Sequence, residues 1–502
     1  MTTFAGLIQQ TLSDYIRMIS NRHPLRYLPI LVVAGIVFLS KILSFNGLYG
    51  QDAHQYLHLS QAYAGLFDGR SYFPADRGDA EFAVGYPLAA ALLSLSGLGA
   101  LTALQIVTWL SAGLAAFFFD RCLQALSPGA RPESRWVFIG LGLLLAPCFL
   151  RAGLTAMSDA LGLTLVLAAL SKGLKMLETG RIQMAVWSVF FAGLAVITRF
   201  SLAALLVPFT AVLVFYLWQN RKWVLAVLSV MAGGLAVLPH FWLKANVLQG
   251  VFEHSLLQEW SPLNYFQASF FDMNGTVHYS LPNIVYLLFP LMHPGFCLPL
   301  PGLLLLAKKT DIHLLSKKVL AACGGIYLLF LGGIPHQNLR YLLPAYAILL
   351  LLLFPAWDRM FAYGLYFFKR LTYAIICLTL VIQITGAVWM LAPVLARNRL
   401  ETAIAGELRN ALPPGALLFA FDLDVALRNY LPDIRITNLW EKRYTDYPTG
   451  SFILFNEPLL RPQWQGRNPI LNWDDANTRY RLRETRTLQG NWKLYEVKGA
   501  IK

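Results

Sequence analysis

The chain alternates between long apolar segments and short polar ones over most of its length. From Leu28 to Phe45 the sequence LPILVVAGIVFLSKILSF holds a single charged residue, and comparable segments recur as far as residue 392. Each approaches the roughly 20 residues that a helix needs to cross the hydrocarbon core of a bilayer. The pattern predicts about eleven transmembrane helices, at 27–45, 101–119, 135–152, 159–176, 183–198, 201–218, 223–243, 283–306, 318–334, 341–357 and 372–392.

The composition agrees with a polytopic α-helical membrane protein. Hydrophobic residues make up 57% of the chain and charged residues 14%, and the mean hydropathy is +0.52. A soluble globular protein has about 25% charged residues. The formal net charge of +14 is also typical of nucleic-acid-binding proteins, but the basic residues lie mostly in short loops between the apolar segments. In that position they orient a membrane protein, so we expect no nucleic-acid partner.

The Lys and Arg residues divide unequally between the two sides of the predicted helices. If segment 1–26 is cytoplasmic, the loops on its side hold most of them, as the positive-inside rule requires. We therefore expect a multi-pass plasma (inner) membrane protein with a cytoplasmic N-terminus and, after an odd number of spans, an extracytoplasmic C-terminal domain. The basic residues assigned to the cytoplasmic side are Arg17, Arg22, Arg26, Arg121, Arg131, Arg135, Lys172, Lys175, Arg181, Arg221, Lys222, Lys308, Lys309, Lys317, Lys318, Arg359, Lys369 and Arg370, against Arg70, Arg77, Arg199, Lys244 and Arg340 outside.

The short apolar segment 84–98, VGYPLAAALLSLSGL, requires a different interpretation. It is separated from the next span by only a few residues, and counting it as a span would invert every later loop. We interpret it as an amphipathic or re-entrant helix at the outer interface. The predicted transmembrane domain, 27–393, then has two large outer loops, at 46–100 and 244–282.

Beyond Pro393 the sequence becomes that of a soluble domain. Residues 394–502 carry charges of both signs, strand-like runs such as ALLFAFDL and SFILFN, and turn sequences such as YPTG. These features predict a small soluble α/β or α+β domain on the outer face. Its FDLD sequence resembles a metal-binding pair of acids, Asp422 and Asp424, although a turn is the commoner structure at the end of a strand.

Ionisable residues at the predicted outer ends of the spans are the candidates for chemistry, because such groups are costly to retain beside apolar segments. Each also has a structural alternative. Asp52 can be a solvated loop acid, Asp159 a helix cap beside the N-terminal dipole, and Arg199 a side chain that snorkels to the interface. His336 and Arg340 can likewise be a loop histidine and an interfacial anchor.

Taken together, these residues favour a function, because two carboxylates and two guanidinium groups share one predicted membrane face. Arginine binds phosphate through paired donors and keeps its charge when partly desolvated. A carboxylate can take the proton of an acceptor hydroxyl within hydrogen-bond reach. The combination suits a substrate with a phosphate at the interface and a lipid tail in the bilayer.

Five segments between residues 28 and 392 carry a family resemblance, in the order YGQDAHQYL, GYPLAAALL, GLTAMSDALGLTLVLAAL, GLAVITRFSLAALLVP and HQNLRYLLPAYAILLLL. In order and spacing they are similar to the GT-C class of integral membrane glycosyltransferases. Within that class they most resemble the bacterial branch akin to protein O-mannosyltransferases and the lipid A aminoarabinose transferase. The domain at 394–502 is similar only in its placement.

The resemblance implies a sugar donor linked to polyprenyl phosphate, a lipid or glycan acceptor, and a site on the extracytoplasmic face among membrane lipids. It implies that Asp52 is the catalytic carboxylate, acting as base on the acceptor or orienting it, and that Asp159 is a second catalytic acid, which helps to hold the acceptor or the donor. The residues expected to bind substrate or stabilise the lipid-phosphate leaving group are Arg199, His336 and Arg340, with His54 and Tyr56 as further candidates.

Departures from the family pattern limit what the resemblance implies. Protein O-mannosyltransferases carry an adjacent acidic pair in the first loop, whereas Gln51 and Ala53 flank Asp52. This difference argues against a protein acceptor. Because no pair of acids in the outer loops indicates a divalent metal, we expect no cofactor.

Two other classes of function stay open at this stage, a polytopic transporter and a non-catalytic protein that binds lipid-linked glycans. Transporters place charged residues near the bilayer midplane and are often built from repeated halves. The sequence shows neither feature, which favours the enzyme. A binding protein would keep the same fold and lack the transfer activity.

Overall fold

A computed structural model describes residues 27–67, 69, 81–244, 258–272, 275–296, 300–308, 311 and 314–501. Over these residues the chain is mainly helical and ends in a domain with a five-stranded sheet. The predicted fold class, an apolar helical domain followed by a small α/β domain, is confirmed. The predicted N-terminal segment 1–26 lies outside the described residues, as do 70–80 of the first outer loop and 245–257 of the second.

The helical domain contains most of the helices of the chain. Among the described residues, its first ten are α1 (Leu28–Ile42), α2 (Gly50–Phe67), α3 (Gly85–Ser94), α4 (Ala100–Leu126), α5 (Pro132–Phe138), α6 (Pro147–Leu154), α7 (Asp159–Thr179), α8 (Met184–Thr198), α9 (Ala203–Gln219) and α10 (Trp223–Leu243). A hairpin of β1 (Ser269–Asp272) and β2 (Gly275–His278) precedes α11 (Asn283–Tyr286), α12 (Phe289–Met292), α13 (Leu300–Leu306), α14 (Leu315–Gly332), α15 (Leu339–Phe367) and α16 (Lys369–Ala411).

Within the described ranges, seven helices are long and apolar enough to cross a membrane: α4, α7, α9 with the short turn before it, α10, α14, α15 and α16. The π-helical segment Ile139–Leu144 extends α5, and this extended helix is bent by 70° against α6, so that the two together would form an eighth span. Helices α1, α3 and α8 are apolar but shorter. Ten of the eleven predicted spans thus coincide with a helix or with the bent pair.

The predicted span 283–306 is not a single helix. The described residues in this range form the short helices α11, α12 and α13. Pro290, Pro294 and Pro301 are the physical reason, because proline lacks the backbone N–H that a helix interior needs and disfavours helical geometry in the residue before it.

Small residues allow the membrane helices to approach one another closely. A Cβ atom added at Gly113 of α4 would lie 2.7 Å from the carbonyl oxygen of Pro29 in α1. One added at Gly193 of α8 would lie 2.9 Å from the carbonyl oxygen of Gly233 in α10. Close backbone packing of this kind is the usual source of helix association in membranes.

The soluble domain is built on a mixed sheet in the order β4-β3-β5-β7-β6. Its strands and helices are β3 (Leu417–Ala420), α17 (Asp424–Tyr430), β4 (Arg435–Asn438), β5 (Phe452–Phe455), α18 (Glu457–Trp464), α19 (Asn468–Arg479), β6 (Tyr480–Thr487) and β7 (Lys493–Ala500). Strands β3, β4 and β5 are parallel, whereas β7 pairs antiparallel with β5 and β6. Helix α16 continues through Pro393 to Ala411, so the predicted domain boundary lies inside a helix.

Candidate functional site

A cavity of about 860 Å³ lies between the helical domain and the soluble domain. Its helical side is formed by α2, by the turn after α8 and by the start of α15. Its opposite side, which we call the soluble-domain wall, comes from residues at or after the ends of β3, β4 and β5. The predicted site residues that line the cavity are Asp52, Tyr56, Arg199, His336 and Arg340.

The turn before α2 fixes the position of Asp52. Gly47 and Gly50 both have positive φ, at 85° and 62°, a conformation that glycine adopts without strain. Asn398 of α16 donates hydrogen bonds to Asn46 Oδ1, at 2.7 Å, and to the carbonyl of Leu48, at 2.9 Å. The turn is therefore held against α16, and Asp52 lies in the first turn of α2.

Asp52 forms an ion pair with Arg340 on the helical side of the cavity. Arg340 Nη2 donates to Asp52 Oδ2 at 2.9 Å, and the Asp52 side chain is 45% exposed while that of Arg340 is 13% exposed. The backbone N–H of Arg340 also donates to Asn338 Oδ1, at 3.1 Å, which caps the start of α15. The carboxylate thus stays accessible to a ligand while its position is set by a buried arginine.

Asp159 lies beneath the same arginine and pairs with a second one. Its side chain is buried, with Oδ2 at 3.6 Å from Arg340 Nη1 and Oδ1 accepting a hydrogen bond from Arg199 Nη1. Asp159 therefore does more than cap α7. The order Asp52, Arg340, Asp159, Arg199 is a continuous chain of alternating charges, which we call the charge chain.

Arg199 ends α8 in an extended conformation, with φ at −154°. Its guanidinium carbon lies 4.9 Å from the centre of the Tyr341 ring, and its aliphatic stem passes over Gly162 of α7. A Cβ atom at Gly162 would lie 3.2 Å from Arg199 Cδ, so the glycine leaves room for this path. Packing on both sides keeps the charged head at the cavity.

Tyr56 connects α2 to the residue before α7. Its hydroxyl donates to Ser158 Oγ at 3.0 Å, and burial raises the pKa of Tyr56 to about 12. The hydroxyl therefore stays protonated near neutral pH. Its hydrogen bond fixes α2, and with it Asp52, relative to Asp159.

His336 lines the cavity apart from the charge chain. Its Nδ1 lies 3.0 Å from the hydroxyl of Tyr279, a residue just after the β1–β2 hairpin. His54, in contrast, is not among the lining residues that the structure describes. It is fully buried, and its Nε2 lies 3.2 Å from Glu401 Oε2 in α16.

The contact of His54 belongs to a buried network that reaches the soluble domain. Glu401 Oε1 accepts from Arg397 Nε at 2.6 Å, and Arg397 Nη1 donates to Asp422 Oδ2 at 2.7 Å. Asn429 of α17 completes the link by donating to the carbonyl of His54 at 3.0 Å. The helix that carries Asp52 is thereby attached to the soluble domain.

Sequence reasoning did not identify the soluble-domain wall as part of the site. Asp424, Asn438 and Trp440 of this wall line the cavity, and so does Arg397 of α16. The FDLD sequence was the one signal that pointed to this wall. Within the described part of the chain, no group of three or more His, Cys, Asp or Glu side chains has metal-binding geometry.

Comparison with solved structures shows what the fold is similar to. The crystal structure of ArnT from Cupriavidus metallidurans bound to undecaprenyl phosphate superposes with a TM-score of 0.60 at 15% identity, covering 93% of this chain and 97% of that one. The apo crystal structure of the same protein gives a TM-score of 0.56 at 15% identity, with coverages of 92% and 97%.

No protein-family model matches the sequence, and neither does any curated protein. The superposition on ArnT confirms, at the level of the fold, the resemblance expected from the sequence. This chain shares that fold over nearly its whole length.

Proposed function

We propose that this protein is a membrane glycosyltransferase that moves a hexose or pentose from a polyprenyl-phosphate donor to a lipid or glycan acceptor. The observation that carries the proposal is the charge chain, whose acids and arginines come from four separate elements: Asp52, Arg199 and Arg340 line one cavity, and Asp159 is buried between the two arginines. The fold supports it, because an ArnT crystal structure with the same fold contains undecaprenyl phosphate.

The proposed reaction requires a base and a means of stabilising the leaving group. An acceptor hydroxyl oxygen attacks the anomeric carbon of the donor sugar and forms the new glycosidic bond. The bond between that carbon and the phosphate oxygen breaks, and its electron pair leaves with the polyprenyl phosphate. The hydroxyl proton passes to a carboxylate.

Asp52 is the proposed carboxylate, acting as base on the acceptor or orienting it. It lines the cavity and is the more exposed of the two acids in the charge chain. General-base catalysis of this kind contributes about 10²–10⁴-fold to a rate. Asp159, which is buried between two arginines, holds those arginines in place and would not reach the acceptor itself.

Arg199 and Arg340 are the proposed ligands of the departing phosphate, with His336 as a further polar contact. A guanidinium group has five N–H donors in a rigid fork, so it can bind a carboxylate and a phosphate oxygen together. Both arginines are held by protein contacts before substrate arrives. Fixed cations stabilise the charge that develops on the phosphate without reorganising.

We further propose that the cavity faces the extracytoplasmic side of the plasma membrane. The proposal rests on the distribution of Lys and Arg among the loops, and it puts the soluble domain outside the cell. The donor lipid would then reach the cavity from the outer leaflet.

The variant Asp52→Asn tests the proposed function. We expect the rate of sugar transfer to fall by about 10²-fold or more, because the amide cannot accept the proton. The lipids and glycans of a deletion strain, analysed by mass spectrometry, identify the missing product. Complementation with the wild-type gene should restore that product, whereas complementation with Asp52→Asn should not.

Asp433→Asn provides the matched control, because Asp433 is an exposed acid of the soluble domain outside the cavity. It should restore the product fully. Wild-type transfer by a well-expressed Asp52→Asn protein would contradict the assignment and favour a non-catalytic binding protein or a transporter.

A further inference from the structure

The soluble-domain wall contains a polar cluster that the proposed transfer chemistry does not use. Asp424, Asn438 and Trp440 face the charge chain from the other side of the cavity. We propose that this cluster binds the hydroxyl groups of a sugar, and this proposal rests on the proposed function. The sugar would belong either to the donor lipid or to the acceptor. The charge chain and the sugar-binding cluster would then lie on opposite sides of one cavity.

The topology of the soluble domain places this cluster where ligands usually bind. Strands β4, β3 and β5 are adjacent and parallel, so their carboxyl ends meet at one edge of the sheet. In open α/β sheets, ligands bind outside the carboxyl ends of the strands. Asn438 is the last residue of β4, and Asp424 begins the helix after β3. This edge of the sheet opens onto the cavity.

Asp424, a residue of the cavity wall, has an unused hydrogen-bond acceptor. The side chain is fully buried, and its Oδ2 accepts a hydrogen bond from Asn438 Nδ2 at 2.8 Å. Its Oδ1 has no hydrogen-bond partner among the described residues, although Asp424 lines the cavity. A buried polar atom left without a partner costs about 1–3 kcal/mol, and a bound hydroxyl would remove that cost.

The ionisation of Asp424 agrees with a hydroxyl partner. Burial raises the pKa of this carboxyl to about 7, against the opposing effect of Arg428. Near neutral pH the group therefore exists in both its protonated and its ionised form. A hydroxyl can donate to the ionised form and accept from the protonated one.

Asn438 and Trp440 form a rigid, partly apolar surface beside this acid. The backbone N–H of Trp440 donates to Asn438 Oδ1 at 2.6 Å, so the amide orientation that presents Nδ2 to Asp424 is fixed. The Trp440 side chain is half-buried at the cavity. An aromatic face with a few convergent polar groups suits a ring that has apolar C–H faces and hydroxyl edges.

A metal ion is a poorer match to the FDLD sequence than a sugar. Asp422 is held by Arg397, through Nη1 to Oδ2 at 2.7 Å and through Nη2 to its carbonyl at 2.9 Å. A divalent cation between Asp422 and Asp424 would have to displace this guanidinium. The two acids therefore differ, because Asp422 is held by Arg397 whereas Asp424 Oδ1 has no hydrogen-bond partner among the described residues.

Binding measurements on the full-length protein in detergent test the inference. Native mass spectrometry can compare bare undecaprenyl phosphate with undecaprenyl phosphate carrying a hexose, an N-acetylhexosamine or a pentose, and with a lipopolysaccharide core glycolipid. The variants are Asp424→Ala and Trp440→Ala, with Asp433→Ala as the exposed control. The second variant keeps the test available if the first does not fold. Trp440→Ala removes the ring but keeps the backbone N–H that donates to Asn438.

We expect the wild-type protein to bind at least one sugar-bearing ligand more tightly than the bare lipid, and both cavity variants to lose about tenfold of that affinity. Their affinity for bare undecaprenyl phosphate should be unchanged. A loss confined to the sugar-phosphate lipids identifies the donor as the source of the sugar, and a loss confined to the glycolipid identifies the acceptor.

Wild-type affinity of both variants for every sugar-bearing ligand would overturn the inference, as would a wild-type protein that gains no affinity from any sugar. A different result would count against the proposed function itself. If the wild-type protein does not bind bare undecaprenyl phosphate, the phosphate site at Arg199 and Arg340 is wrong, and the sugar subsite that depends on it is overturned as well.

Discussion

At the scale of single residues, Arg340 has two acidic partners that lie on different helices. Its Nη2 contacts Asp52 at 2.9 Å, and its Nη1 lies 3.6 Å from Asp159. A lysine carries the same charge, but its single ammonium group lacks the planar fork that spans both carboxylates. Replacement by lysine therefore separates the effect of geometry from that of charge.

We predict that Arg340→Lys lowers the rate of sugar transfer by about 10²-fold, the usual cost of losing one preorganised donor. Arg399→Lys, at an exposed position of α16 outside the cavity, is the control and should leave the rate unchanged. The measurement is the initial rate with saturating donor lipid. A rate within twofold of wild type would show that the charge of Arg340 is sufficient.

Asp424 gives a prediction about stability and pH. Its pKa rises on folding from 3.8 to about 7, mainly through burial and with contributions from Asp422 and Glu441. At pH values between these two pKa values, the folded state binds more protons than the unfolded state. The free energy of unfolding therefore decreases as the pH rises and levels off above about pH 7. The full difference corresponds to ~4 kcal/mol.

We predict that Asp424→Asn, which cannot ionise, has a higher apparent melting temperature than the wild type at pH 8. The difference should shrink as the pH falls below 7 and disappear only below about pH 3.8, where the carboxyl is protonated in the folded and the unfolded state alike. Thermal unfolding of the full-length protein in detergent across this range is the measurement. Asp433→Asn should show no such pH-dependent difference, and equal melting temperatures of Asp424→Asn and wild type at pH 8 would contradict the raised pKa.

At the scale of elements, α16 joins the two domains and carries the buried network between them. Glu401 is 1% exposed and contacts both His54 and Arg397. Removing one partner of a buried ion pair costs about 3–5 kcal/mol, because the remaining charge stays buried without compensation. Loss of this side chain should therefore weaken the attachment of the soluble domain.

We predict that Glu401→Ala lowers the apparent melting temperature and increases proteolytic cleavage around residues 412–416, the segment between α16 and β3. Glu407→Ala, on the same helix at a partly exposed position, is the matched control. Limited proteolysis of the membrane-embedded protein, followed by mass spectrometry, measures the effect. Identical cleavage patterns for the two variants would show that the network does not hold the domain.

The same helix shows which parts of the fold the sequence could predict. The apolar pattern ends near Pro393, which suggested a boundary, but the helix continues because Leu400, Ile404 and Leu408 form a stripe against the sheet. That i, i+4 spacing is visible in the sequence and was missed. The breaks in 283–306 were equally readable from its prolines, whereas hydrophobicity alone suggested a span.

At the scale of the whole molecule, the two sides of the cavity differed in how far they could be anticipated. Asp52, Asp159, Arg199 and Arg340 each lie at the end of an apolar segment, so hydropathy predicts their depth, and the Lys and Arg residues of the loops predict their side. The soluble-domain wall depends on strand order and on how α16 docks the domain. Neither feature can be predicted from a local sequence pattern, so Asn438 and Trp440 could not be identified as cavity residues from the sequence.

The last prediction concerns the orientation of the whole molecule. If the positive-inside assignment holds, a cysteine introduced by Asp433→Cys in the soluble domain reacts with a membrane-impermeant maleimide in intact spheroplasts. One introduced by Lys222→Cys, in the short loop between α9 and α10, reacts only after the membrane is permeabilised. Both variants are made with the native cysteines replaced. Because Asp52 and Arg340 line the same cavity as the soluble domain, the label at 433 also locates the charge chain. Labelling of the Asp433→Cys protein only after permeabilisation would put the cavity on the cytoplasmic side and reverse the leaflet from which the donor lipid enters.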